Sequence, residues 1–103
     1  MKTCITCGMP FEGSHANDIA LETADGPVCI HDAKDGQIKP AEEIFEGGVQ
    51  FFMSEVAAGD RDLAERLTRK NMNSLPYWKN HPFAGLEGLQ ATEEEFGEAM
   101  AKL

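Results

Sequence analysis

The spacing of three cysteines constrains the fold of this chain more than any other feature of its sequence. Cys4 and Cys7 form a Cys-x-x-Cys motif, which lets both sulfur atoms turn toward one point, and Gly8 suits the tight reversal that follows. Cys29 supplies a third sulfur after a gap of 21 residues. This spacing is typical of a zinc ribbon, in which two knuckles clamp one ion, and it predicts bound Zn²⁺.

The fourth ligand is left open by the sequence. Asp32 stands at position i+3 from Cys29, where the second ligand of a knuckle points. His31 is the softer and commoner zinc ligand, but position i+2 directs it elsewhere unless the turn is distorted. His15, in the loop between the knuckles, and a water molecule are further candidates. The predicted metal site therefore consists of Cys4, Cys7 and Cys29, with Asp32 and His31 competing for the fourth position.

Other uses of the cysteines fit the sequence less well. An odd number of cysteines argues against a disulfide framework. A thioredoxin-like pair normally opens a helix after a strand, and Cys4 lies too near the start of the chain for that. Because no apolar run follows residues 1–3, we expect no signal peptide and a cytoplasmic protein. The longest apolar stretch, residues 49–53, is too short to cross a bilayer, so no membrane contact is expected.

The first third of the chain is rich in residues typical of loops and turns. Residues 19–23 and 28–30 read as short strands on either side of Asp25-Gly26, a strong hairpin signal. Pro27 lacks an amide proton and is expected at the start or edge of a strand. The sequence thus predicts a β-hairpin whose second strand carries Cys29.

A first helix is predicted to begin at Pro40 and to stop near Gly59. Gly47 and Gly48 interrupt its pattern, because each costs about 1 kcal/mol against alanine in a helix interior. They are expected either to admit a neighbouring backbone or to bend the helix. The apolar residues of this segment recur at helical spacing, namely Phe45, Val49, Phe52 and Val56.

Two more helices follow in the prediction. Asp62 and Glu65 form a capping pair for a helix that ends before Pro76, which gives a helical hairpin with the first helix. Thr92 and Glu95 form a second capping pair that opens a short terminal helix beyond a linker. An apolar stripe on that helix is the best candidate for an external contact, and it comprises Phe96, Met100 and Leu103.

Together these elements predict a small α+β protein. Residues 1–39 form a zinc ribbon, built as a β-hairpin with two knuckles. Residues 40–79 form a helical hairpin, and residues 80–103 form a linker and a short C-terminal helix. A core of this size is modest, so a metal ion would matter for stability.

The charge of the chain is strongly negative and unevenly distributed. The net charge is −9, yet residues 61–79 carry a net charge of +3. Duplex DNA is repelled by most of such a surface, which makes a protein the expected partner and a nucleic acid a less favoured one. The basic segment is expected to pair with the acidic residues of the same chain, and an acidic partner is the alternative. The sequence does not predict the oligomeric state.

The motifs resemble those of a family of small zinc-ribbon proteins. That family has a Cys-x-x-Cys-Gly-Met-Pro knuckle, a second Cys-x-x-Cys knuckle, and a helical tail ending in Leu-Pro and Trp-Lys. The resemblance covers residues 1–80, and Asp32 stands where the family has its fourth cysteine. It implies a zinc-binding ribbon joined to helices, with no established activity. The matching residues are Cys4 to Pro10, Cys29, Leu75-Pro76 and Trp78-Lys79.

The leading functional prediction is a zinc-binding ribbon protein with a structural metal, acting in the cytoplasm as an interaction or regulatory module. A metal-responsive or thiol-redox protein is an alternative, as is a nucleic-acid-binding zinc ribbon. No general base or substrate pocket is recognisable in the sequence, so catalysis is not expected and no catalytic residue is predicted.

Overall fold

The computed structural model describes residues 2–103 and shows two antiparallel β-hairpins followed by helices, a small α+β arrangement. None of the helices in this range is long and apolar enough to span a membrane. Isolated 3-10 turns lie at Gly13–His15 and Ala84–Leu86. The strands are β1 (Ile19–Thr23), β2 (Gly26–Cys29), β3 (Ala33–Lys34) and β4 (Gln37–Ile38), and the helices are α1 (Ala41–Glu55), α2 (Arg61–Asn73), α3 (Pro76–Asn80) and α4 (Glu93–Ala101).

The first hairpin pairs β1 with β2 and lies close to its predicted position. Thr23 pairs with Gly26, so the turn residues are 24 and 25, one position earlier than the Asp25-Gly26 signal indicated. Gly26 belongs to β2 and has a φ of +130°. A Cβ atom there would lie 2.7 Å from Cγ2 of Ile5, so glycine lets the first knuckle lie against the hairpin. Pro27 is the second residue of its strand and is buried.

A second hairpin, formed by β3 and β4, was missing from the sequence prediction. Lys34 pairs with Gln37 across a two-residue turn. Asp35 and Gly36 form that turn with φ values of +54° and +76°. Positive φ at both turn positions is the geometry that Asp-Gly favours in a tight hairpin. The missed signal was therefore a second Asp-Gly pair in the same third of the chain.

Helix α1 follows its predicted start but ends earlier than predicted. Pro40 is the residue immediately before the helix, and Glu42 and Glu43 occupy the first turn, where the helix dipole favours negative charge. The helix ends at residue 55, and the reversal comes at Ala58 and Gly59, with φ values of +49° and +87°. Gly59 thus ends the turn after the helix rather than the helix itself.

The N-cap of helix α2 lies two residues before the predicted cap. The carboxylate of Asp60 accepts a hydrogen bond from the backbone amide of Leu63 at 3.1 Å, which makes Asp60 the N-cap. Asp62 lies inside the first turn instead. Leu75 has extended backbone angles and Pro76 starts α3, as expected for a residue that precedes proline.

Segment 80–103 packs onto the helices. The predicted capping box of Thr92 and Glu95 is present at the start of α4. Phe96 and Met100 pack against the core formed by α1 and α2, whereas Leu103 is 60% exposed. The stripe expected to make an external contact therefore mainly covers the protein's own helices.

The basic segment pairs with acidic side chains of the same chain, as predicted. The Arg61 guanidinium lies 2.6 Å from the carboxylate of Glu46, on α1. Arg66 lies 2.7 Å from Glu95 at the start of α4. Lys70 forms an ion pair with another glutamate of α4, Glu93. The positive charge of α2 is thus largely neutralised by its neighbours.

The two glycines of α1 occupy different environments. A Cβ atom on Gly48 would lie 2.9 Å from Cγ2 of Thr68 on α2, so this glycine permits close approach of the two helices. Gly47 has no neighbouring atom within 4 Å of such a Cβ among the described residues. Thr68 is buried, and its hydroxyl donates to the Ala64 carbonyl at 2.7 Å, which restricts its ability to move aside.

Substitution of these glycines is expected to have opposite effects. Gly47→Ala should raise the free energy of unfolding by about 1 kcal/mol, the difference in helix propensity. Gly48→Ala gains the same helix propensity, but its methyl group overpacks the interface between α1 and α2 at a cost of roughly 1–3 kcal/mol. The free energy of unfolding of Gly48→Ala should therefore be lower than that of Gly47→Ala, and equal to or lower than that of the wild type. Urea unfolding of the three proteins at one metal concentration measures this order. Equal stabilisation by both substitutions would contradict the close helix approach.

Candidate metal centre

Three sulfurs and one carboxylate converge in one small volume. The ligand atoms of Cys4, Cys7, Cys29 and Asp32 all lie within 4.8 Å of one another. The sulfur atoms of Cys7 and Cys29 are 3.7 Å apart, and the Cys4 sulfur lies 3.8 Å from Oδ2 of Asp32. Cys7 is half-buried, and the other three residues are buried. The three cysteines are free thiols.

These separations can be compared with those that a tetrahedral zinc ion requires. With zinc–sulfur bonds of about 2.3 Å, two thiolates on one ion lie about 3.8 Å apart, and a sulfur and an oxygen ligand lie about 3.5 Å apart. The separations of 3.7 Å between two sulfurs and 3.8 Å between sulfur and oxygen are close to these values, and no other separation in the cluster exceeds 4.8 Å. The donor set of three sulfurs and one oxygen therefore fits a tetrahedral ion with little rearrangement.

The first knuckle is formed by the backbone around Cys4 and Cys7. The Gly8 amide donates to the Cys4 carbonyl at 2.8 Å, and the Cys4 amide donates to the Met9 carbonyl at 2.9 Å. Gly8 adopts a φ of +81°, so the reversal uses the conformation that the sequence predicted for this glycine. The two bonds close a loop that turns both sulfurs inward.

The second knuckle brings Asp32, and not a histidine, to the sulfurs. Cys29 ends β2, and the Asp32 amide donates to its carbonyl at 3.1 Å, which forms a tight turn. Asp32 is 7% exposed, while His31 between them is exposed and outside the cluster. His15 is also exposed, and its ring lies 2.8 Å from the carboxylate of Asp18. Of the candidates for the fourth position, the structure places Asp32 beside the thiols.

Thr6 is a site residue that the sequence analysis did not single out. Its hydroxyl donates to Oδ2 of Asp32 at 2.6 Å and lies 3.1 Å from the Cys4 sulfur. The residue is fully buried. A hydroxyl side chain inside a Cys-x-x-Cys motif was the available signal, but sequence alone does not show that a carboxylate 26 residues away faces it.

The helices contact the knuckle through its carbonyl oxygens. The indole Nε1 of Trp78, on α3, donates to the Thr6 carbonyl at 2.9 Å. The side-chain amide of Asn71, on α2, donates to the Cys7 carbonyl at 2.9 Å. Trp78 is only 3% exposed. Two residues of the first knuckle are therefore tied to the helical part of the chain by directional bonds.

The thiols of the metal-free cluster share their protons unequally. Hydrogen bonding from Cys29 and Cys7 holds the pKa of Cys4 well below its usual range. Hydrogen bonding with Cys29 and then with Cys4 raises the pKa of Cys7, and hydrogen bonding with Cys4 together with burial raises the pKa of Cys29 to about 12. Burial also raises the pKa of Asp32, against the lowering effect of the Thr6 hydrogen bond. At neutral pH the metal-free site thus retains protons on Cys7 and Cys29.

Comparison with models of known protein families, with curated proteins and with solved structures finds no match to this chain. The resemblance to zinc-ribbon proteins consequently depends on the motif residues themselves. The geometry supports the part of that resemblance that concerns the Cys4, Cys7, Cys29 and Asp32 cluster.

We expect metal affinity to rise steeply with pH. Metal ligation requires deprotonated thiols, so binding expels the protons held by Cys7 and Cys29, and a lower proton concentration favours the bound state. Two released protons correspond to about a 100-fold gain in apparent Zn²⁺ affinity per pH unit near neutrality. Competition with a chromophoric chelator at several pH values, corrected for the chelator's own protonation, measures the slope.

The His31→Ala variant serves as the control for this slope. Its imidazole is exposed and lies outside the cluster, so the slope should remain about 100-fold per pH unit. A wild-type affinity that is independent of pH between 6 and 8 would contradict protonated thiols in the metal-free site.

Proposed function

We propose that this protein is a zinc-binding ribbon protein in which Cys4, Cys7, Cys29 and Asp32 hold one structural Zn²⁺. The observation that carries the proposal is the convergence of their four ligand atoms within 4.8 Å of one another. Zinc is favoured over other divalent ions because a tetrahedral set of thiolates completed by one harder ligand suits its borderline softness.

A structural role is supported by the size of the surrounding core. The buried apolar cluster of the N-terminal part consists of Cys4, Val28 and Cys29, so two of its three members are themselves predicted ligands. The two hairpins are short, and small modules of this kind gain much of their folding free energy from the metal. Four protein ligands would also close the coordination sphere, which is typical of structural rather than catalytic zinc.

We infer that the ribbon and helices form an interaction or regulatory module in the cytoplasm, where thiols remain reduced. A protein is the favoured partner because the net charge of −9 disfavours nucleic acid. Ile30 and Phe51 offer apolar contact area, since they are 49% and 47% exposed.

A metal-responsive protein is the second candidate, and two features of the site favour it. Cys7 is half-buried and so within reach of competing ligands from solution. A carboxylate in place of a fourth thiolate is also a weaker ligand for zinc, which would make the ion easier to remove.

Native mass spectrometry of untagged protein, purified without added metal, tests the ligand assignment. We expect one zinc ion per chain in the wild type. His31→Ala should retain the ion, because this side chain is exposed and outside the cluster. Asp32→Ala should lose most of it on mild dialysis, because one of the four ligands is removed. A metal-free wild type, after reconstitution with zinc under reducing conditions, would refute the proposed function.

Chelation distinguishes a structural ion from a sensory one. Trp78 is the single tryptophan, and its indole is bonded to the first knuckle. If the ion is structural, its removal should abolish the near-UV circular dichroism. It should also shift the Trp78 fluorescence emission to longer wavelength, because the indole becomes exposed to water. A sensor should instead release the ion while both signals persist. Trp78→Phe identifies the part of each signal that comes from the indole.

A further inference from the structure

The side chain of Thr6 occupies an unusual position between two predicted ligands. It is fully buried, and its hydroxyl carries one proton for two possible acceptors, the Asp32 carboxylate and the Cys4 sulfur. The 2.6 Å separation to Oδ2 of Asp32, against 3.1 Å to the sulfur, identifies the carboxylate as the acceptor. The hydroxyl thus contacts the one ligand by which this site differs from a four-cysteine ribbon.

A carboxylate needs such a contact more than a thiolate does. A cysteine presents a single donor atom, whereas an aspartate presents two oxygens and a terminal torsion that is only weakly restricted. Several of the orientations that this torsion allows would leave the ion incompletely coordinated. A hydrogen bond to Oδ2 restricts that rotation, in the way that partners of metal ligands usually orient them.

The backbone of Thr6 is also held in place. Its carbonyl accepts the hydrogen bond from the buried indole of Trp78, so the residue that orients Asp32 is itself anchored to α3. Asp32, Thr6 and Trp78 therefore form a continuous series of hydrogen bonds from the ligand cluster to the helices.

We propose that Thr6 is a positioning residue that holds Asp32 as the oxygen ligand, and that this contact raises the affinity of the site for Zn²⁺ relative to that for the softer ion Cd²⁺. The inference rests on the proposed function, because it concerns the same four ligands. Thiolates serve both ions well, whereas a carboxylate is the harder ligand and contributes more to zinc binding. Loss of its orientation should therefore weaken zinc binding more than cadmium binding.

The test compares Thr6→Val, which keeps the shape but removes the hydroxyl, with Thr6→Ser, which keeps the hydroxyl. Thr6→Val should lower the affinity for Zn²⁺ by about 10- to 100-fold, the usual effect of removing a partner of a metal ligand. Thr6→Ser should remain within about threefold of wild type, because the hydrogen bond survives. The zinc-to-cadmium affinity ratio should fall in the valine variant alone.

Thr68→Val provides a matched control. Thr68 is also buried, and its hydroxyl donates to a backbone carbonyl of α2, Ala64 O, rather than to a ligand. This variant should leave both metal affinities and their ratio unchanged. Substitution with Co²⁺ gives a spectroscopic signature as well, since the visible absorption of the cobalt protein should change in Thr6→Val and persist in Thr6→Ser and Thr68→Val.

A second background separates carboxylate positioning from packing, and it remains informative if Thr6→Val folds poorly. In Asp32→Cys, the fourth ligand has no second oxygen to orient, so adding Thr6→Val should reduce zinc affinity much less than it does in the wild type. An equal loss in both backgrounds, or an equal loss in Thr6→Val and Thr6→Ser, would overturn the inference.

Failure of the inference is distinguishable from failure of the proposed function. If wild-type protein binds one zinc ion and Thr6→Val binds zinc and cadmium as the wild type does, the positioning role is refuted and the zinc site stands. If the wild type binds neither ion, the proposed function itself is refuted.

Discussion

The rest of the structure depends on the close contact between the two knuckles, which brings the side chains of Cys4 and Cys7 to those of Cys29 and Asp32. Cys7 and Cys29 are separated by most of the N-terminal part of the chain, yet their sulfurs lie 3.7 Å apart. The hairpins that join them contribute few buried side chains, because their strands are short and much of their surface faces solvent. Strands of this length are marginal without further support, so the ligand cluster and the contacts around it must supply what the apolar core does not.

Those contacts extend the influence of the cluster into the helices. Trp78 and Asn71 both donate to carbonyls inside the Cys-x-x-Cys motif, and Trp78 belongs to the apolar cluster that includes Ile44 and Met72. A buried carbonyl left without a donor costs on the order of 1–3 kcal/mol, so the knuckle and α3 favour each other's native position. The Trp78 indole and the Cys-x-x-Cys motif thus stabilise each other's position, although 72 residues separate Trp78 from Thr6.

The sequence predicted the features that depend on local rules. Short-range geometry accounts for the Cys-x-x-Cys knuckle, the turn at Gly8 and the capping box at Thr92. The structure contains all three features. Asp35-Gly36, in the β3–β4 turn, carries the same Asp-Gly turn signal as Asp25-Gly26, but the sequence prediction included only the first hairpin. The role of Thr6 was not predictable, because it depends on a hydrogen bond to Asp32, which is distant in the sequence and belongs to the second knuckle.

The terminal segment shows why composition alone does not identify a binding surface. The basic residues of α2 stood out in sequence as a possible site for an acidic partner, yet α4 brings Glu93 and Glu95 to Lys70 and Arg66. The same helix places Phe96 over the apolar core, so charge and apolar burial favour one docked arrangement. An acidic ligand would have to compete with carboxylates that the chain itself supplies at high effective concentration. The surface that remains available is therefore more acidic than the sequence of α2 indicates.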